Sequence, residues 1–167
     1  MKKVFALALA LSFLSGLYGF TLGLGVAYEG LAVNGADPYF ALKADARVPL
    51  TSMIDIRGVL LNVSLPTGGK AVKIGTFTES DLIFKPNMSM SFKPYLALGV
   101  WFSLGLEDAP LDYKILAVKG ALGGEMEIGG LNAYLEAGLN KFTWVSGGGG
   151  TTHPVYVQLG VNIPVKI

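Results

Sequence analysis

The segment VYVQLGVNI, residues 155–163, alternates without interruption between large apolar side chains and polar or small ones. Its apolar members are Val155, Val157, Leu159, Val161 and Ile163, and the intervening members are Tyr156, Gln158, Gly160 and Asn162. Successive side chains of a β-strand point to opposite faces, so a strict two-residue period predicts a strand. One face of this strand is entirely apolar, and the other is polar or small.

The bulk composition limits where such strands can be placed. The chain has 167 residues, enough for one domain, of which 51% are hydrophobic and only 15% are charged. That is little charge for covering the surface of a soluble domain of this size. Beyond the N-terminal stretch there is no run of about 18 apolar residues, the length that a spanning helix needs. Because a bilayer admits only helices and closed barrels as spanning structures, the composition favours a transmembrane barrel.

Two features of the composition exclude other classes of function. The chain has no cysteine, which excludes disulfides, thiol catalysis and thiolate metal sites. No metal-ligand cluster is visible either, so we expect no cofactor. The net charge is +1, and without Lys2 and Lys3 the remainder has 11 basic and 12 acidic residues. Nucleic-acid binding usually requires a basic surface, so no nucleic-acid partner is expected.

Residues 1–19 have the features of a secretory signal peptide. Lys2 and Lys3 precede an apolar run over residues 4–14, and the small residues Ser15, Gly16 and Gly19 follow. We expect export and cleavage after Gly19, which leaves residues 20–167 as a single barrel domain. The alternative is an uncleaved membrane anchor, for which the apolar run is short.

Two-residue alternation recurs along the chain and predicts eight strands. The predicted segments are residues 20–30, 38–48, a third strand that begins near Thr51, 70–84, 92–103, 113–128, 131–144 and the segment that begins at residue 155. In the third strand the phase shifts at Leu60 and Leu61, which indicates a β-bulge. The fourth is the least regular, because Thr76, Thr78 and Ser80 fall on its apolar face.

The predicted connections alternate in length. Those near Pro49 and at residues 129–130 are very short, whereas residues 31–37, 66–69, 104–112 and 146–152 form longer loops, and residues 85–90 are an exception to the alternation. An even number of antiparallel strands, with short turns on one side and longer loops on the other, is typical of outer-membrane barrels. The last strand then has to pair with the first to close an up-and-down barrel.

Charged side chains concentrate on one face of the predicted strands. Outside residues 1–19, thirteen of them share the face of Gln158 and Asn162: Glu29, Lys43, Asp45, Arg47, Asp55, Arg57, Lys73, Glu79, Lys93, Lys119, Glu125, Glu127 and Glu136. Low overall charge, glycines on the polar face and aromatic residues near strand ends favour a charged face in the lumen and an apolar face in lipid. An exported soluble barrel with a cavity for an apolar ligand is the inverted alternative.

The residues predicted to face the lumen comprise six basic and seven acidic side chains. An eight-stranded barrel is only wide enough for side chains to fill, and buried charges are costly unless they are paired. We therefore predict a lumen plugged by ion pairs, not an open pore. A balanced lining also predicts no strong ion selectivity.

Several strands carry the glycine-and-aromatic alternation of a known family. The segments are PYLALGVWF (residues 94–102), GALGGEMEI (120–128), AYLEAG (133–138) and the terminal strand. Over residues 20–167 the chain resembles the small eight-stranded outer-membrane barrels of the OmpA and OmpX kind. The resemblance implies an integral protein of the outer membrane of a diderm bacterium, in contact with outer-membrane lipid and the outer-membrane assembly machinery. It also implies a monomer with a structural or surface-interaction role.

Catalysis is the alternative from another class of function. His153 is the single histidine, and Ser146, Thr151 and Thr152 are close to it in sequence. A lipid-modifying outer-membrane enzyme would use a histidine to deprotonate a serine nucleophile, but no motif links these residues. We expect no enzymatic activity, with a lipid-modifying enzyme or a carrier of apolar ligands as the alternatives.

Overall fold

The computed structural model describes residues 19–31, 38–67, 71–102, 115–142 and 155–165. These residues form eight antiparallel strands in sequence order, and the last strand pairs with the first to close a barrel. The strands are β1 (Phe20–Leu31), β2 (Tyr39–Pro49), β3 (Ile54–Pro66), β4 (Lys73–Phe84), β5 (Phe92–Phe102), β6 (Ile115–Ile128), β7 (Leu131–Phe142) and β8 (Val155–Val165). The predicted all-β, up-and-down barrel is confirmed. Among the described residues no helix is long and apolar enough to cross a membrane.

Closure of the barrel depends on the first and last strands. β1 and β8 pair from Phe20 opposite Val165 to Leu31 opposite Val155, with a register shift after Glu29. This ladder gives both strands a partner on each side, so neither presents an open edge. The prediction that the terminal strand closes the barrel against the first strand is confirmed.

The irregularity predicted in the third strand is a β-bulge at Leu60. The register of β3 against β2 shifts between Ala44 and Asp45, and its register against β4 shifts between Val59 and Leu61. Both shifts leave Leu60 without a register partner, as expected for one extra residue in a strand. The phase change predicted from the two adjacent leucines is confirmed.

β4 departs further from regular alternation. Phe77 has a φ of 52°, a left-handed backbone conformation that is uncommon outside glycine. The register against β3 passes from Thr76 directly to Glu79. Phe77 is exposed, whereas Thr78 and Glu79 are both buried. The predicted position of Thr78 on the apolar face is wrong, because this bulge turns its side chain inward.

The two ends of the barrel differ in their connections. We call the turn end the one that carries the β2–β3 turn (residues 50–53), the β4–β5 connection (residues 85–91) and the β6–β7 turn at Gly129 and Gly130. These two glycines have φ values of 60° and 85°, the positive values that a two-residue type I′ hairpin turn requires. At the opposite end, residues 32–37, 68–70, 103–114 and 143–154 lie outside the described residues.

Burial is inverted relative to a soluble barrel. Leu122 and Leu159 point outward and expose 71% and 60% of their surface, whereas Arg57 and Glu136 expose 1% and 0%. A soluble barrel has its apolar face in the core and its charged face in water. Here the polar face of the alternating strands lines the interior, and large apolar side chains cover the exterior.

Candidate functional site

The thirteen charged residues predicted to face the lumen divide into three groups. Ten are buried in the barrel interior: Glu29, Lys43, Asp45, Arg47, Asp55, Arg57, Glu79, Lys119, Glu125 and Glu136. Lys93 and Glu127 are exposed, so they lie at the rim and not among the buried charges. Lys93 is the second residue of β5 and Glu127 the last but one of β6, so both lie at the turn end, where the interior opens to solvent. The side chain of Lys73 lies outside the described residues, although its backbone belongs to β4.

The interior contains a further carboxylate, Asp81, that the sequence analysis missed. Asp81 exposes 2% of its surface and takes part in the ion pairs described below. It lies two residues after Glu79 in β4, so the two side chains share a strand face. That spacing was the signal that could have identified it. Neutral polar side chains are buried in the interior as well: Asn62, Thr78, Asn140, Gln158 and Asn162.

Two buried lysines each bridge carboxylates from different strands. Nζ of Lys43 in β2 lies 2.7 Å from Oε1 of Glu29 in β1 and 2.6 Å from Oε1 of Glu79 in β4. Nζ of Lys119 in β6 lies 3.0 Å from Oε2 of Glu79 and 3.3 Å from Oδ2 of Asp81. Glu79 therefore connects the two lysines across the lumen.

Arg57 in β3 extends these contacts to the remaining strands. Its Nη2 lies 2.6 Å from Oδ2 of Asp81, and its Nη1 lies 2.9 Å from Oε2 of Glu136 in β7. The hydroxyls of Tyr95 in β5 and Tyr156 in β8 donate to the Glu136 carboxylate at 3.0 and 2.6 Å. Every strand thus contributes to one set of contacts, which we call the lumen network: Glu29, Lys43, Arg57, Glu79, Asp81, Tyr95, Lys119, Glu136 and Tyr156.

Two further ion pairs lie nearer the turn end. Nη1 of Arg47 donates to Oε2 of Glu125 at 2.9 Å, and Nζ of Lys85 lies 2.5 Å from Oδ2 of Asp55. Lys85 belongs to the β4–β5 connection, and its side chain is 25% exposed. It therefore neutralises a buried carboxylate from the mouth of the lumen, where water reaches the ammonium group.

The described part of the interior has more acidic than basic side chains. The buried basic residues are Lys43, Arg47, Arg57 and Lys119, and the buried acidic residues are Glu29, Asp45, Asp55, Glu79, Asp81, Glu125 and Glu136. The predicted lining had six basic and seven acidic residues; the described one gains Asp81, Lys93 and Glu127 lie at the rim, and the side chain of Lys73 lies outside the described residues. Among the described residues, neither carboxylate oxygen of Asp45 has a hydrogen-bond partner. This lining is net negative, which favours cations over anions.

Tyrosine rings fill interior space above glycines on neighbouring strands. A β-carbon on Gly123 would overlap the ring of Tyr95, and one on Gly160 would lie 2.7 Å from the hydroxyl oxygen of Tyr134. Each glycine lacks a side chain at the position that a tyrosine occupies, so the ring can pack directly against the backbone. The tyrosine rings therefore occupy part of the cross-section of the barrel interior that a pore would need.

Aromatic rings also lie beside the buried ammonium groups. Nζ of Lys43 is 5.1 Å from the ring centre of Trp101, and Nζ of Lys119 is 5.0 Å from that of Tyr156. At these distances the negative faces of the rings attract the cations. Trp101 is buried in the interior.

The buried charges of the described residues are held largely in ion pairs. Within the described ranges, no group of three or more His, Cys, Asp or Glu side chains could hold a metal ion. His153 and Ser146 lie outside the described residues. What this arrangement does among the described residues is hold opposite charges together across the barrel interior.

Comparisons with known proteins bear on the fold. Neither a scan against models of protein families nor a search of curated proteins found a match. A solved structure described as "De novo design of transmembrane beta-barrels" is similar, with a TM-score of 0.54 and 13% sequence identity, over 88% of this chain and 95% of that chain. The chain therefore has the fold of a closed, eight-stranded transmembrane β-barrel, which is consistent with a location in a membrane. Membership of the OmpA and OmpX group stays a prediction.

Proposed function

We propose that the chain is an integral β-barrel protein of the outer membrane of a diderm bacterium, with a structural or surface-interaction role. The observation that carries this proposal is the inverted burial, in which ion pairs fill the interior and large apolar side chains cover the exterior. In water such an exterior is unfavourable, because apolar surface is driven out of contact with water. In a bilayer the same apolar surface contacts apolar lipid chains. The closed barrel hydrogen-bonds the backbone N–H and C=O groups of the strands to one another.

The position of the exposed charges supports a lipid-facing exterior. Among the strand side chains that the structure describes, the exposed charged ones are those of Lys93 and Glu127, both at the turn end. Arginine or lysine on the lipid face costs about 2–4 kcal/mol at the bilayer midplane and much less near the interfaces. A protein that spans a bilayer is expected to confine exposed charges to its rims, as these two residues do.

The lumen network supports a closed barrel and not a pore. Several of its ion pairs cross the lumen between strands that are not neighbours, as from Lys119 in β6 to Glu79 in β4. Opening a water-filled path would separate buried charges from their partners, which is strongly unfavourable for buried pairs. The proposed role is therefore one that uses the barrel as a stable scaffold in the membrane.

The proposal also includes the export signal and the partners that the sequence suggests. The signal peptide at residues 1–19 lies almost entirely outside the described residues. Its cleavage after Gly19, a monomeric state, and contacts with outer-membrane lipid and the assembly machinery complete the proposal. The mass of the mature protein measures the cleavage site directly.

Membrane fractionation tests the central claim. The protein is expected to sediment with the outer membrane, to stay there during a urea wash, and to need detergent for extraction. Recovery in the soluble fraction without detergent would contradict the membrane proposal and favour an exported soluble barrel.

We propose no catalytic role for this chain. The buried carboxylates of the lumen network are engaged by lysines, an arginine and tyrosines, and are not available as general acids or bases. Replacing His153 with alanine is expected to leave the lipid composition of the membrane unchanged. A changed lipid composition would instead point to a lipid-modifying enzyme.

A further inference from the structure

A groove of about 700 Å³ lies on the outer face of the barrel at its turn end. Its floor is a row of outward side chains opposite one another in register, one from each of the strands β3 to β6: Ile54, Phe84, Leu96 and Leu122. We call it the rim groove. Small-molecule sites typically measure roughly 300–1,000 Å³, so the rim groove is large enough for one ligand.

Hydrogen bonds build the wall of the rim groove. The amide of Lys85 donates to the carbonyl oxygen of Met53 at 2.7 Å, which joins the β4–β5 connection to the β2–β3 turn. Within that turn, Oγ1 of Thr51 accepts from the amides of Met53 and Ile54 at 3.1 and 3.0 Å. These contacts hold the wall beside the floor, so the rim groove is formed before a ligand arrives.

The lining of the rim groove is apolar and presents no unpaired charge among the described residues. Lys85 is the charged residue in the lining, and its ammonium group is bound to Asp55. Met53, Pro86 and Pro94 add apolar surface to the aliphatic and aromatic floor. This chemistry excludes an ionic ligand and suits a flexible hydrocarbon chain, which gains free energy with each methylene that it buries.

We propose that the rim groove holds one acyl chain of a phospholipid from the leaflet at the turn end of the barrel. The inference rests on the proposed function, because the floor of the groove is continuous with the outer face that we place in lipid. The β2–β3 turn and the β4–β5 connection mark the edge of that face, so the headgroup of the bound lipid lies beside them in water.

Native mass spectrometry tests this site on the whole mature protein. The barrel is reconstituted in vesicles of phosphatidylethanolamine and phosphatidylglycerol, extracted in mild detergent, and activated until loosely held lipid is lost. One retained phospholipid per barrel is expected for the wild-type protein. Leu122→Trp fills the floor of the groove, and excluding two methylenes of the chain is expected to lower retention roughly tenfold.

A matched control separates the groove from the rest of the outer face. Leu159 in β8 is exposed to 60%, similar to Leu122 at 71%, and it does not line the groove. Leu159→Trp is expected to retain the lipid. If Leu122→Trp does not insert, Leu96→Trp fills the same floor.

The outcomes distinguish the two proposals. A barrel that inserts into vesicles but retains no lipid, or retains it equally with Leu122→Trp, overturns the rim-groove site and leaves the membrane proposal intact. A barrel that does not enter vesicles at all overturns the membrane proposal itself.

Discussion

Arg57 is the residue whose loss is expected to damage the lumen network most. It exposes 1% of its surface, and its guanidinium contacts Asp81 at 2.6 Å and Glu136 at 2.9 Å. Arg57→Met keeps an apolar stem of similar length but removes the charge. The cation that then remains in contact with the Asp81 and Glu136 carboxylates is Lys119, at 3.3 and 3.4 Å. Removing one partner of a buried ion pair costs about 3–5 kcal/mol. We expect a loss of that size, against a total stability of roughly 5–15 kcal/mol for a domain.

Equilibrium unfolding by urea in phospholipid vesicles measures this loss, with the fluorescence of the buried Trp101 as the signal. Lys93→Met is the control, because Lys93 is exposed at the rim and its loss is expected to change stability by less than about 0.5 kcal/mol. Combining Arg57→Met with Asp81→Asn and Glu136→Gln removes the uncompensated charges and is expected to restore much of the stability. A loss for Arg57→Met no larger than for Lys93→Met would refute the electrostatic reasoning.

Three further predictions concern the outer face, the packing of the lumen and its closure. Leu24→Arg, in the middle of β1 on the outer face, is expected to cost about 2–4 kcal/mol of membrane stability, measured as a lower yield of insertion into vesicles; normal insertion would contradict a lipid-facing exterior. Gly123→Val places side-chain atoms against the ring of Tyr95 and is expected to cost about 1–3 kcal/mol in urea unfolding. Gly58→Val, where a β-carbon meets nothing within 4 Å, is the matched control. The wild-type barrel is expected to give no steady single-channel current in a planar bilayer, and a stable open level would contradict the closed lumen.

The number of strands and the direction of each face could be predicted from the sequence for a simple physical reason. A strand repeats every two residues, so each apolar set identifies a face without knowledge of its neighbours. The bulge at Leu60 was also visible, because two adjacent leucines cannot share one face of a regular strand. These features depend on residues that are adjacent in the sequence, so the sequence alone predicts them.

Two other features depended on information that alternation does not contain. Lys93 and Glu127 have the inward phase, but phase does not report how deep a residue lies, and both are at the rim. In β4, Phe77 has a positive φ, which a phenylalanine in the sequence does not lead one to expect. As a result the adjacent side chains of Thr78 and Glu79 are both buried in the interior. Strand patterns alone predict neither the depth of a residue nor a bulge formed by a bulky residue.

Several pairing partners inside the lumen, such as Lys43 with Glu79 and Arg57 with Glu136, could not be predicted because they join strands that are not neighbours. In one order of contact the charged members are Glu29, Lys43, Glu79, Lys119, Asp81, Arg57 and Glu136, so that charges alternate along it. Lys119 also lies 3.4 Å from Oε1 of Glu136. In this order the members begin and end with carboxylates, and the four carboxylates exceed the three cations by one. At one end the hydroxyl of Tyr39 donates to Glu29 at 2.7 Å, and at the other end Tyr95 and Tyr156 donate to Glu136. Neutral donors thus satisfy the carboxylates at both ends of this order without adding charge, which stabilises an acidic excess among the described interior residues.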